Sequence, residues 1–181
     1  MRILKNNPTP QPKACLWLVI LILAAFHHAQ AQSSCPTVHD LPDFLPAWTN
    51  AVIGPGNRSH QCTLALLTPD ARITGVEPDK TPGKDGHPNR IVETPEQFVA
   101  WYQNHPTQTF WERTTHSTIA VYENVARVTR TYEVRSTPTG PVTSTGIEDF
   151  QLIFDGKEWR AFSLLWQDAT PGKPLPPGYL P

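Results

Sequence analysis

Two stretches decide how this chain folds: THSTIAVYENVARVTRTYEVRS, residues 115–136, and TGIEDFQLIFDGKEWRAFSLLWQDA, residues 145–169. Each alternates β-branched or aromatic residues with polar ones on both sides of a turn signal, the pattern of a β-hairpin. The first turns at Glu123-Asn124, where Asn tolerates the left-handed conformation; the second turns at Asp155-Gly156, the strongest short-range hairpin signal. Two-residue turns would set the register by counting outward. Val121 then opposes Ala126, Ile119 opposes Val128, Ser117 opposes Arg130 and Thr115 opposes Tyr132. In the second hairpin Leu152 opposes Trp159, Phe150 opposes Ala161, Glu148 opposes Ser163 and Gly146 opposes Leu165. Phe150 and Trp159 mark that row as inward-facing. Away from the turns both inward rows become polar, at Ser117, Arg130 and Tyr132 on one hairpin and Glu148 and Ser163 on the other.

The opposite face of the second hairpin carries Ile147, Ile153, Phe162, Leu164 and Trp166, interrupted by Asp149 and Gln151. An apolar patch of that size is uncommon on the surface of a monomer. The alternative assignment swaps the two faces, bringing Asp149 and Gln151 inward and sending Glu148 out.

Outward from the hairpins, the chain of 181 residues begins with Arg2, Lys5 and Lys13, an apolar run from Ala14 to Phe26, and Ala29-Gln30-Ala31. That is the order of a signal peptide, residues 1–31, with cleavage after Ala31. A retained anchor is the alternative, but the run falls short of the roughly 20 residues a spanning helix needs. The mature chain is thus expected to be exported, periplasmic or secreted, with no membrane contact once the leader is gone. It would comprise one domain, residues 32–169, and a Pro-rich tail, residues 170–181, that cannot join a sheet centrally. Loss of the leader leaves 12 basic against 16 acidic residues, a net charge of about −4, and no basic cluster, which argues against a nucleic-acid partner. Cys35 and Cys62 remain as the only mature cysteines and in an oxidising compartment are expected to form a disulfide; two unpaired thiols are the alternative.

Between leader and hairpins, Asp43 stands where it can cap a helix whose Phe44, Ala47, Trp48 and Val52 recur at helical spacing, ended by Gly54-Pro55-Gly56. Cys62 to Leu67 reads as a short helix stopped by Thr68-Pro69, and Ala71 to Thr74 as a short strand. Residues 75–89, rich in Pro and Gly, read as a surface loop. Thr94-Pro95-Glu96-Gln97 is a capping box with Pro at the first helical position, opening a helix that puts Phe98, Trp101 and Tyr102 on one stripe and closes at His105-Pro106.

Helices first and a long antiparallel meander after them argue an α+β fold, helices packed on one face of a curved sheet. The order of a helix, Leu66-Leu67-Thr68-Pro69-Asp70-Ala71-Arg72-Ile73, a capped aromatic helix, and long hairpins ending Asp155-Gly156-Lys157-Glu158-Trp159 resembles the nuclear transport factor 2-like (NTF2-like, SnoaL-like) superfamily. The likeness runs from Leu41 to Ala169. Leu165-Trp166-Gln167 and the final Pro174-Leu175-Pro176-Pro177-Gly178-Tyr179-Leu180 resemble exported bacterial members of unassigned role. The resemblance implies a cone-like, cystatin-like α+β roll around a cavity. It does not imply one function, because this fold hosts isomerases, dehydratases, epoxide hydrolases and binding modules.

With that fold, three functions stand open. The first is a binding domain whose cavity takes a small apolar molecule, its polar end held by Arg130, Glu148 and Tyr132, with Ser117, Ser163, Trp101, Tyr102 and Trp111 along the wall. The second is a cofactor-independent enzyme in which Glu148 is the general acid/base, Arg130 orients substrate and Tyr132 donates a hydrogen bond. The third is a protein-interaction module acting through the outer sheet face. The superfamily's habit of dimerising there implies a homodimer centred on Ile147, Phe162, Leu164 and Trp166. A structural Arg130–Glu148 ion pair and a purely core role for the aromatics are the plainer alternatives. No metal is expected, because no two of His39, His60, His87, His105 and His116 have the spacing of a ready ligand pair. No dinucleotide fingerprint or Gly-x-Ser-x-Gly elbow is present, and no cofactor is expected.

Overall fold

The computed structural model describes residues 35–77, 89–170 and 172–180; the expected leader, and most of the Pro/Gly loop, lie outside them. A 3₁₀ turn, Leu41–Asp43, leads into helix α1, Phe44–Val52. Strand β1, Gly54–Pro55, helix α2, Cys62–Ala65, strands β2, Leu67–Glu77, and β3, Asn89–Glu93, and helix α3, Pro95–Asn104, follow. The meander is β4, Thr109–Tyr122, β5, Val125–Arg135, β6, Val142–Phe154, and β7, Trp159–Asp168. All seven strands form one curled sheet in the order β1-β4-β5-β6-β7-β2-β3, antiparallel except where β2 runs parallel to β7. The architecture is α+β, as the order of elements implied.

The core forms where α1 lies on the sheet. Phe44 and Trp48 meet Phe150 of β6 edge-on, at 5.2 and 5.1 Å between ring centres, and Trp48 stacks on Phe98 of α3 at 6.0 Å. Burying rings of this size is the largest favourable contribution such a domain has, on the order of 2 kcal/mol or more for each. The capping box sets the entry of α3: Gln97 N–H donates to Thr94 Oγ1 at 3.3 Å and Thr94 N–H to Gln97 Oε1 at 2.9 Å. Cys35 and Cys62 are bonded, tying the segment before α1 to α2.

β2 is longer than expected, because Pro69 falls in an irregular stretch of the β2–β7 pairing between Leu67 and Arg72 and does not end the strand. Of the loop expected over residues 75–89, Gly75 to Glu77 belong to β2 and Asn89 begins β3; Ile91 and Val92 are the apolar residues of β3, and what makes it a strand is pairing to β2.

The hairpins keep their turn positions but depart from simple counting. Glu123-Asn124 is a two-residue turn, Tyr122 facing Val125, with Glu123 in the left-handed region at φ 48°. Ser117 faces Arg130 as counted, but a bulge between Thr114 and His116 then sets Thr114, not Thr115, against Tyr132. β1 covers β4 only at Thr109 and Phe110, so Ser117, Ile119 and Val121 stand exposed on a bare edge instead of lining a concave wall.

At Asp155-Gly156 the connection is four residues long. The Asp155 carboxylate accepts from the backbone N–H groups of Lys157 and Glu158, both at 2.9 Å, and closes a wider loop that pairs Phe154 with Trp159. A shift of two residues preserves parity, so Trp159 and Ala161 remain inward. Past them a bulge at Phe162 reverses it: Phe150 faces Leu164 and Glu148 faces Trp166. Leu164, 1 % exposed, and Trp166 therefore point inward, whereas Leu165, 50 % exposed, points out. The interface expected at Leu164 and Trp166 is not on the surface; of its members, Ile147 and Phe162 keep outer positions. The outer face is also partly covered from within the chain, because the Thr131 hydroxyl of β5 donates to the Tyr179 carbonyl of the tail at 2.6 Å. The face swap does not occur: Asp149 is on the outer side, accepting from Arg127 Nε at 2.8 Å, and Glu148 is inside.

Candidate functional site

At the inner surface, Arg130 is fully buried and its donors are distributed over three elements. Nε–H donates to Glu148 Oε2 at 2.5 Å, Nη1 to Thr49 Oγ1 of α1 at 3.0 Å and to Thr114 Oγ1 of β4 at 3.3 Å, and Nη2 to the Glu112 carboxylate. Both acidic side chains are nearly buried, at 5 % and 8 % exposed for Glu112 and Glu148. One guanidinium thus joins two carboxylates, an arrangement viable out of water only because each charge is hydrogen-bonded.

Glu112 was not among the expected residues. Simple alternation from the Glu123-Asn124 turn sends it outward and Trp111 inward; the bulge at Thr115 exchanges them, and Trp111 does not reach the cavity. Thr114-Thr115 beside Arg113, a polar run that breaks the apolar alternation, is the only trace in the sequence of where the strand is interrupted.

Tyr132 reaches across the sheet. Its hydroxyl donates to Asp168 Oδ1 of β7 at 2.7 Å, passing over Gly146 of the intervening strand. A Cβ at Gly146 would stand 2.2 Å from the tyrosine oxygen, so no other residue permits this crossing without displacing the ring.

Around this cluster is a cavity of about 420 Å³. Glu112, Glu148, Tyr132 and Asp168 form its floor, together with Ser144 and Gln108. Trp48, Phe98, Trp101, Tyr102, Phe110 and Trp166 supply aromatic wall, and Glu77, Ile91 and Glu93 of β2 and β3 complete it. Trp101 and Tyr102 thus line the cavity, Trp101 being 38 % exposed. Ser117 lies on the exposed edge, and Ser163, beyond the Phe162 bulge, is also outside the lining. Arg130 is behind the floor: its head contacts the carboxylates and threonines, so it positions groups that face the cavity and does not face it itself.

The electrostatics follow from two acids sharing one base. Burial pushes the Glu112 carboxyl up to about 7 from its ordinary 4.5; Arg130 pulls it down and Glu148 adds to the rise. Burial would weaken the charge on Arg130, but Glu148 and Glu112 outweigh it and hold the guanidinium protonated. Burial first, and then the Asp168 charge, keep the Tyr132 phenol far above the ordinary tyrosine range, so it is a permanent donor.

A stability signature comes with Glu112. Between about pH 4.5 and 7 the folded protein holds a proton there that the unfolded chain has released, so this group's contribution is full below 4.5 and lost as pH rises through 7. Urea midpoints at pH 5, 6, 7 and 8 are expected to fall toward pH 8 in the wild type. Glu112→Gln, isosteric with the protonated acid, is expected to flatten that decline; an unchanged pH profile would place the proton elsewhere.

No family model and no curated protein matches this sequence. Solved structures do. A structure described as the beta subunit of an aromatic-ring-hydroxylating dioxygenase from Novosphingobium aromaticivorans matches 71 % of this chain and 86 % of its own, with TM-score 0.54 at 14 % identity. A protein with a cystatin-like fold from Nostoc punctiforme matches 75 % of this chain and 92 % of its own, with TM-score 0.51 at 11 % identity. A protein of unknown function from Mycobacterium tuberculosis matches 88 % and 76 %, with TM-score 0.51 at 15 % identity. The fold is NTF2-like. At these identities the likeness concerns the path of the backbone, and the residues in this NTF2-like cavity must be read on their own chemistry.

Proposed function

We propose that this protein is an exported small-molecule-binding domain, its ligand enclosed between the aromatic wall and the polar floor of the NTF2-like cavity. The observation that carries the reading is a cavity of about 420 Å³, within the size range of ligand pockets, lined both by aromatic rings and by the linked polar groups Glu112, Glu148, Tyr132 and Asp168. The carboxyls of Glu112 and Glu148 and the lone pairs of the Tyr132 oxygen, whose proton is given to Asp168, would orient a polar group, and Trp101, Tyr102 and Trp166 would pack on the rest. Export is supported by the leader-like first 31 residues and by the Cys35–Cys62 bond, which persists in oxidising compartments.

N-phenyl-1-naphthylamine, a neutral fluorescent aromatic, tests this. Saturable enhancement with a micromolar Kd is expected, weakened at least tenfold by Ser144→Trp, which fills the cavity, while the thermal unfolding curve is unchanged. Equal binding to both proteins would rule the cavity out.

A second reading, an acid/base enzyme, is favoured by one feature: Glu112, half-protonated near neutral pH, shares Arg130 with Glu148. A carboxyl that keeps its proton to near neutral pH inside a cavity is suited to the role of general acid. Conversion of a bound compound, lost in Glu112→Gln with binding retained, would move the assignment from binding to catalysis.

A further inference from the structure

The cavity's charge is unlike that of the chain around it. The whole sequence is nearly balanced, with 15 basic and 16 acidic residues, yet five carboxylate side chains line the cavity and, among the described residues, no lysine or arginine does. Two of the five, Glu112 and Glu148, are partly compensated from behind by Arg130, whose donors are committed to them and to Thr49 and Thr114. Asp168 accepts from the neutral Tyr132 hydroxyl, and Glu93 is partly buried and, among the described residues, in no ion pair. The acidic groups therefore gather around Glu112 and Glu148, the two that are nearly out of water, with one guanidinium between them.

The wall opposite is π-rich. Trp101 and Trp166 contribute indole surface of the kind that attracts a cation held within about 6 Å of a ring centre, while the Trp48 ring is stacked on Phe98 and the Tyr102 ring on His60. Trp48 adds an independent observation: it is 1 % exposed, it lines the cavity, and its indole Nε1–H has no acceptor in the protein. A buried donor of that kind is complete only with an acceptor supplied from outside the chain.

We propose that the cavity selects a cationic ligand, an ammonium group on an apolar body of about aromatic size, the charge facing the acidic floor and the body packed on the tryptophans. The inference rests on the cavity being the small-molecule site. Anions are excluded by the carboxylates, and neutral isosteres bind through the wall alone. An acceptor oxygen on the ligand, placed toward Trp48, would satisfy the unpaired indole. Charge in the floor follows Glu112, which faces Arg130 of β5, Glu148 of β6, Asp168 of β7, Tyr132 and Tyr102 of α3; Glu93 of β3 faces Tyr102. Ionisation of Glu112 strengthens the site for a cation.

The test uses four matched probes: 1-naphthylmethylammonium, (1-naphthylmethyl)trimethylammonium, 1-naphthylmethanol and 1-naphthoate, titrated by calorimetry at low salt. At pH 8 both cations are expected to bind at least tenfold more tightly than the alcohol, and the naphthoate not measurably. The trimethylammonium probe, which cannot titrate, is expected to gain severalfold in affinity between pH 6 and 8. Glu112→Gln should remove that gain; Glu93→Gln, farther from the Arg130 network, should weaken both cations without altering stability. If the alcohol equals the cations, charge selection is overturned while the binding cavity stands. If none of the four binds, the cavity reading falls and the selectivity with it.

Discussion

Arg130→Met is expected to cost about 3–5 kcal/mol of stability, the typical loss when one partner of a buried ion pair is removed and the other charge is left without compensation. Here two carboxylates are orphaned together, Glu112 on β4 and Glu148 on β6, and the tie from β5 to Thr49 of α1 is cut as well. For a domain of this size the melting temperature should fall by roughly 10 °C. Removing the charges left behind should recover much of the loss: Arg130→Met with Glu112→Gln and Glu148→Gln is expected to be more stable than Arg130→Met alone. Chemical denaturation of the three proteins checks this. A single variant within 1 kcal/mol of wild type, or a triple variant less stable than the single, would show that Arg130 is not what holds the floor of the cavity together.

The second large effect belongs to the disulfide. Cys35–Cys62 spans 27 positions and closes a loop that contains all of α1, the helix whose Phe44 and Trp48 build the core over Phe150. By the chain-entropy argument, constraining a loop of that length in the unfolded state is worth on the order of 3 kcal/mol. The segment it anchors also carries the Val38 carbonyl, which accepts from Trp159 N–H at 2.8 Å and so pins the chain to the start of β7. Cys35→Ser with Cys62→Ser is expected to keep the folded far-ultraviolet spectrum and to lose about that amount in urea unfolding. Wild type in reductant should match the variant. Equal stability of oxidised and reduced protein would mean that the crosslink constrains nothing the fold does not already hold.

Local chemistry was legible in the residues wherever it is decided within a few positions. The Thr94–Gln97 capping box, the helix carrying Phe44 and Trp48, the Glu123-Asn124 turn and the placement of the second turn at Asp155-Gly156 all depend on neighbours in sequence. Their reading needed no knowledge of the rest. Inward positions of Arg130, Tyr132, Glu148, Phe150 and Trp159 were also readable, because parity survives a four-residue loop as well as a two-residue one. Glu112 and Asp168 were not. Each stands beyond a bulge, and a bulge is a response of one strand to the curvature imposed by its neighbours, which no alternation of side chains announces.

For the same reason Leu164 and Trp166 exchanged a surface for the interior, while Ser117 lost a cavity wall at an edge that β1 is too short to cover. The amino-acid order by itself determined that this chain makes hairpins, a helix opened by the Thr94–Gln97 capping box and an inward arginine beside Glu148, whereas Asp43, expected to cap α1, makes no capping hydrogen bond and ends a 3₁₀ turn. That Glu112 joins Glu148 on that arginine, and that five carboxylates stand among the aromatic residues of the cavity, only the curled sheet decided. Side-chain direction alternates residue by residue, so one extra residue in a strand, chosen by long-range pairing, reassigns every group after it.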